Sequence, residues 1–187
     1  MPEYAAWMVI AGVVLAAGAG TRMGQPKGEL VVGGVRLVDR ACTALRAGGC
    51  DFVLAVVRSG VSVDGAVVNP EPERGLRSSL ALGIAAAGDV DAVAVLLADL
   101  PGIDAAAVAT VVGAWQPGRI AVARIGDVRC HPIVMSPALW QTAIQLAAPD
   151  EGARALQRQR PDLVDDIAVA GNPADLDTPE DLAAWDV

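Results

Sequence analysis

Short apolar runs alternate with alanine-rich stretches along the chain, and that alternation limits the folds open to it. Val9–Ala16, Phe52–Val57, Ala66–Asn69, Ala92–Ala98, Ile120–Ile125 and Leu163–Ala168 have the length and β-branched content of strands. Val38–Ala47, Leu76–Ala87, Ala105–Trp115, Pro137–Leu146, Glu151–Gln159 and Pro179–Trp185 have helical length. Gly48-Gly49 and Gly88 stand where helices stop. Strands that alternate with helices predict an α/β fold: a mainly parallel, twisted sheet with helices on both faces. No linker or repeat divides the 187 residues, so one domain is read over 1–187.

In such folds ligands gather at the carboxyl ends of the strands, and the first strand runs straight into the loop Leu15 to Gly28, LAAGAGTRMGQPKG. Glycines at Gly18, Gly20, Gly24 and Gly28 let backbone N–H groups approach an anion, and Arg22 and Lys27 supply neutralising charge. Lys27 is the only lysine of the chain; every other basic residue is arginine. The pattern predicts a phosphate-binding loop. It is not a Walker motif, because Lys27 is followed by Gly28 and not by Ser or Thr. Nor is it the dinucleotide fingerprint, because after Gly18 and Gly20 the next glycine is one residue late, with Met23 in its place.

Further polar features also follow strands. The apolar run AVAVLLA ends in Asp99-Leu100-Pro101, and a carboxylate held there by a proline turn is a hard ligand suited to Mg²⁺. The alternative is a simple turn or cap residue, although Asp104 is better placed to cap the helix at Ala105. In Asp175-Leu176-Asp177-Thr178-Pro179-Glu180-Asp181, a helix start accounts for Thr178 to Asp181. It leaves Asp175 and Asp177 over, and Asp177 could supply a second carboxylate to the same ion. Gly75 opens a helix whose first turn carries Arg77, Ser78 and Ser79, a pattern shared by anion sites and by ordinary helix starts. His131, the only histidine, lies in Arg129-Cys130-His131-Pro132. A lone histidine is more often structural than catalytic, and Arg154 by itself reads as a solvated arginine.

A net charge of −8 argues against a nucleic-acid or anionic-membrane binder and confines any anion site to local arginine and lysine. Cys42, Cys50 and Cys130 are odd in number and lack metal-ligand spacing, so reduced thiols are expected. Ala5 to Ala19 has the apolar content of a signal-peptide core but no positively charged leader, and it is read as a buried strand. With no apolar run long enough to span a bilayer, a cytoplasmic protein is expected.

Together these segments resemble the MobA-like NTP-transferase family, and within it the molybdenum cofactor cytidylyltransferases, from Val13 to about Leu182. Leu15-Ala16-Ala17-Gly18 through Arg22-Met23-Gly24 to Lys27 resembles the opening motif. Asn69-Pro70 with Gly75 and Ser78-Ser79-Leu80 resembles the second nucleotide segment, and Asp99-Leu100-Pro101 the metal-binding Asp-x-Pro. His131-Pro132, Gly152-Ala153-Arg154 and Asp175 to Asp181 resemble the three remaining motifs. One departure is Cys130 in place of the glycine usual before His-Pro, which adds a side chain to what should be a tight turn.

The resemblance implies a Rossmann-like nucleotidyltransferase fold and CMP transfer from CTP to the terminal phosphate of molybdenum-molybdopterin, with pyrophosphate released. Leu-Ala-Ala-Gly, where guanylyltransferases have Leu-Ala-Gly-Gly, favours CTP. It further implies that Leu15, Ala16, Ala17, Gly18, Gly20, Arg22, Lys27, Asn69, Gly75, Ser79 and Asp99 contact the nucleotide. Arg22, Lys27 and Asp99 would be catalytic, Asp99 and Asp177 would hold Mg²⁺, and His131 and Arg154 would face a molybdopterin-type acceptor. A recipient molybdoenzyme is the expected partner. Three alternatives are the same chemistry with GTP, the same chemistry with a sugar or alcohol phosphate, and a non-catalytic module that delivers cofactor. A nicotinamide-dependent dehydrogenase is disfavoured by the glycine spacing.

Overall fold

In a computed structural model that describes residues 8–185, the strands are β1 (Ile10–Leu15), β2 (Val31–Val32), β3 (Val35–Arg36), β4 (Phe52–Val57), β5 (Ala66–Val68), β6 (Ala92–Leu97), β7 (Ile120–Ile125), β8 (Val128–Met135) and β9 (Val164–Ala168). The helices are α1 (Leu37–Ala47), α2 (Leu76–Ala87), α3 (Ala105–Ala114), α4 (Pro137–Leu146), α5 (Arg154–Gln159) and α6 (Pro179–Trp185). The start of the apolar stretch at Ala5 lies outside the described residues. One seven-stranded sheet runs in the order β5-β4-β1-β6-β8-β7-β9. β1 pairs in parallel with β4 and β6, β4 with β5, and β7 with β9. Only β8 runs against its neighbours β6 and β7.

The central strands are apolar throughout because both of their faces are covered. Along β1, Ala11, Val13 and Leu15 point into a cluster with Leu80, Ile84, Trp140 and Leu156 of α2, α4 and α5. Val14 points to the other side, toward Val38, Leu45, Val108 and Val111 of α1 and α3. β6 divides in the same way: Val93 and Val95 to one face, Ala92, Ala94 and Leu96 to the other. With so few aromatics, the helices are drawn close by small residues. At Gly83 of α2 an added Cβ would lie 2.5 Å from Val13 Cγ1 and 3.0 Å from Val56 Cγ2. Gly83→Ala is therefore expected to destabilise by about 1–3 kcal/mol, since overpacking outweighs the better helix propensity of alanine. A lower urea midpoint would show it.

The alternation predicts six of the sheet's seven strands and all six helices to within a few residues; the largest shift is at α5, which begins at Arg154 rather than Glu151. β8 departs from expectation. Cys130-His131-Pro132 is not a tight turn after a strand but the middle of one; the hairpin turn falls at Gly126, whose φ is +58°. Proline removes a ladder donor, so an internal Pro132 argues against a strand. The strand accommodates it by bulging. Arg129 and Ile133 pair with Arg124 and Val122, which leaves three residues of β8 opposite one of β7. Cys130 turns into the core, so the side chain that replaces glycine meets no turn to obstruct.

All three cysteines are free and buried, and burial pushes Cys42 up to about 11 and Cys50 up to about 12. Such thiols stay protonated and inert. No helix among the described residues is long and apolar enough to cross a membrane.

Candidate functional site

The carboxyl ends of β1 and β6 lie side by side, because the two strands pair in register from Ile10↔Ala92 to Leu15↔Leu97. The loop after each therefore opens onto the same cleft. Ala16 N–H still donates to Val56 O at 2.8 Å; beyond it the chain leaves the sheet. Gly20 turns at φ +57°, and a Cβ there would sit 2.0 Å from Gln25 O, which only glycine tolerates. Met23 N–H donates to Gly20 O and Lys27 N–H to Gly18 O, closing the loop at both ends. From Ala17 through Arg22 no backbone N–H has an acceptor among the described residues. A run of open amides beside two cations has the make-up of an anion cradle.

Asp99 lies two residues beyond β6, and its carbonyl accepts a hydrogen bond from Leu176 N–H at 2.9 Å. Leu176 is fully buried, and this anchor brings the flanking Asp175 and Asp177 to Asp99. One oxygen from each of the three carboxylates falls within 4.8 Å of the others. Thr178 and Asp181 cap each other reciprocally, as expected, and so fix where the cluster ends and α6 begins. Lys27 Nζ donates to Asp99 Oδ2 at 2.7 Å and also to Asp177 Oδ1. Arg22 is mostly exposed, 3.9 Å from Asp177.

Burial raises the Asp99 pKa above the usual carboxylate range, with the Lys27 hydrogen bond opposing it. Burial also lowers Lys27, but its bonds to Asp177 and Asp99 more than offset this and hold the ammonium charged. Asp99 Oδ1 is buried with no partner. An unpartnered carboxylate oxygen beside two further carboxylates is a hard, all-oxygen donor set that fits a divalent cation.

The cleft behind this cluster is a cavity of about 290 Å³ lined by Ala17, Gly18, Lys27, Gly75, Ser79 and Asp99, with Leu15 and Ala16 in its floor. Gly75 has φ +88°, and a Cβ would lie 2.5 Å from Pro149 O. Glycine thus lets the loop before α2 meet the loop after α4. Arg77 fastens the two: its N–H donates to Pro149 O and its guanidinium to Ala147 O, both at 2.9 Å. Asn69 does not line this cavity. Its buried amide donates to Ser78 Oγ and Ser79 Oγ at 3.0 Å and accepts from Glu71 N–H, bracing the start of α2. Gly20 and Arg22 border a separate shallow recess with Lys27 and Asp177.

A second cavity of about 360 Å³ shares the walls Leu76, Leu97 and Asp150 with the first. His131 and Arg154 line it, brought together by the β8 bulge and the start of α5. Burial, then the charge of Arg154, lowers the His131 pKa to about 4. His131 is thus a neutral imidazole at pH 7. Because the unfolded chain takes up this proton near pH 6.5, stability should fall as pH drops from about 6.5 to 4. His131→Gln is expected to flatten that slope in thermal melts across the window.

Sequence reasoning left Asp175 without a role and missed Gln157. Gln157 lines the second cavity with its buried Nε2 unpartnered, and a glutamine inside a helix gives no signal in sequence.

The MobA-like NTP transferase domain family matches residues 12–166. The nicotine blue oxidoreductase of Paenarthrobacter nicotinovorans is 34% identical over 192 residues, which cover 92% of this chain and 94% of that one. A probable molybdenum cofactor guanylyltransferase of Opitutus terrae is 35% identical over 126 residues, 63% of this chain and 61% of that one. Among solved structures, Rv0371c from Mycobacterium tuberculosis H37Rv has a TM-score of 0.78 at 25% identity, over 95% of this chain and 97% of that one. Its complex with manganese has a TM-score of 0.71 at 24% identity, over 95% and 98%.

Proposed function

The chain belongs to the MobA-like NTP transferase family, and we propose that it transfers CMP from CTP to the terminal phosphate of molybdenum-molybdopterin. The observation that carries this reading is the meeting of Lys27 with three converging carboxylates beside the open loop amides, where Lys27 and Asp99 line the first cavity and a second cavity adjoins it.

The acceptor phosphate oxygen forms a bond to the α-phosphorus as the bond to the β-phosphate oxygen breaks, and pyrophosphate leaves. A phosphate monoester has its second pKa near about 6, so the nucleophile is already largely ionised and needs no strong base. The protein's task is orientation and charge. Lys27, Arg22 and the amides of Ala17 to Arg22 hold the β- and γ-phosphates. Gly75 and Ser79, with Ala17 in the same cavity, line the nucleoside side, and the Leu-Ala-Ala-Gly form of the loop favours CTP. Arg154 pairs with the acceptor phosphate, and neutral His131 offers it a hydrogen bond without taking its proton. Mg²⁺ would be held by Asp99 and Asp177, with Asp175 beside them, and would neutralise charge on the phosphoryl oxygens.

Two observations keep rivals in view. The guanylyltransferase relative supports GTP as the donor. The oxidoreductase relative, matched over nearly the whole chain, supports a second reading in which the same cavities serve an oxidoreduction, for which a reduced dinucleotide is the donor to test. Titration calorimetry with CTP, GTP, ATP, NADH and NADPH, each with and without Mg²⁺, separates them. Mg²⁺-dependent CTP binding in preference to the others is the expected result. Preference for GTP moves the base assignment, and metal-independent binding of a reduced dinucleotide overturns nucleotidyl transfer. The acceptor is then tested by CMP incorporation into molybdopterin against sugar and alcohol phosphates. A protein that binds CTP but transfers to none of these would be a delivery module.

A further inference from the structure

Lys27 makes contacts that a phosphate-binding lysine does not need. Its ammonium lies between Asp99 and Asp177, 2.7 Å from Asp99 Oδ2 and hydrogen-bonded to Asp177 Oδ1. These are two of the three carboxylates whose oxygens converge within 4.8 Å. The side chain is held in place, being only 22% exposed, and Asp99 is less exposed still at 16%. A compact ammonium in that position neutralises two of the three carboxylates that a divalent cation would draw on, while the second oxygen of Asp99 stays unpartnered. Two cations cannot share the cluster without strong repulsion at such separations.

We infer that Lys27 is the internal counter-ion of the carboxylate cluster, so that the site rejects a free divalent ion and admits one only together with nucleotide phosphates. The open amides of Ala17 to Arg22 show where those phosphates would lie. Lys27 projects from the end of the same loop, and its flexible four-carbon stem lets the ammonium exchange carboxylate for phosphate with little backbone movement. Phosphate entry then vacates the cluster and supplies the charge that a metal balances. The true ligand is the divalent metal–nucleoside triphosphate complex, and neither half binds well alone. This rests on the metal site proposed above.

The test is Mn²⁺ binding to the purified full chain, followed by electron paramagnetic resonance of free Mn²⁺, with and without CTP. Wild type is expected to bind Mn²⁺ weakly alone and far more tightly with CTP. Lys27→Met, which keeps bulk and removes charge, is expected to bind Mn²⁺ alone about tenfold more tightly than wild type. Lys27→Arg keeps the charge and should stay weak. Arg22→Met removes a neighbouring but exposed charge and, without CTP, should change the affinity for Mn²⁺ by less than about twofold. Wild type binding Mn²⁺ alone as tightly as Lys27→Met overturns the counter-ion role. So does equal tightening in Arg22→Met, which would reduce the effect to net charge. Either result leaves the metal site standing. No Mn²⁺ bound by any variant, with or without CTP, overturns the metal site itself.

Discussion

Asp99→Asn is expected to fold like the parent and to lose metal-dependent turnover by about two to three orders of magnitude, the scale set by removal of one preorganised charge-stabilising group. The fold tolerates the change because the carboxylate is held where burial disfavours its charge. Asparagine has nearly the same shape and carries no charge to desolvate. The link that positions the closing motif is the Asp99 carbonyl accepting from Leu176 N–H, which belongs to the backbone and survives. Lys27 keeps its bond to Asp177. What is lost is the buried oxygen left without a partner, the least replaceable donor of the cluster. Thermal melts within a few degrees of the parent, together with collapsed pyrophosphate release, is the predicted pair of results. Normal Mg²⁺ response in this variant would remove Asp99 from the site.

The sheet was legible because its strands are continuous apolar runs and its helices alanine-rich, so local composition and global burial agree. β8 was not legible, since an arginine, a cysteine, a histidine and a proline interrupt it, and only the bulge opposite Ala123 makes Pro132 acceptable. The β2–β3 hairpin did carry a signal: Gly33-Gly34 between valines, with φ of +57° and +79°. Its strands of two residues are too short to register as a period.

Within the site, the loop after β1 and the aspartate after β6 could be placed from sequence because each directly follows a strand. The convergence of Asp175 with Asp99 could not, because it depends on Leu176 docking across 77 residues of chain onto the Asp99 carbonyl. Asn69 shows the converse. The resemblance assigns its motif to the nucleotide side, yet its amide is spent on Ser78, Ser79 and Glu71, so any effect on nucleotide binding would pass through the start of α2.

Lys27→Met carries the second large effect, and its two expected consequences run in opposite directions. Turnover should fall by about two to three orders of magnitude, because the β- and γ-phosphates lose the half-buried cation beside them at the moment charge moves onto the leaving pyrophosphate. Arg22 cannot substitute, being mostly exposed and tied loosely to Asp177 across 3.9 Å. Yet the same substitution frees Asp99 and Asp177, so metal affinity should rise while catalysis and CTP affinity fall. A merely structural lysine predicts something else: loss of its ion pairs would lower the melting temperature and weaken metal and nucleotide together. Measuring CTP affinity, Mn²⁺ affinity and pyrophosphate release on one preparation decides between them. Opposite signs place Lys27 on the phosphates during turnover and on the carboxylates before it, and losses in all three confine it to holding the loop.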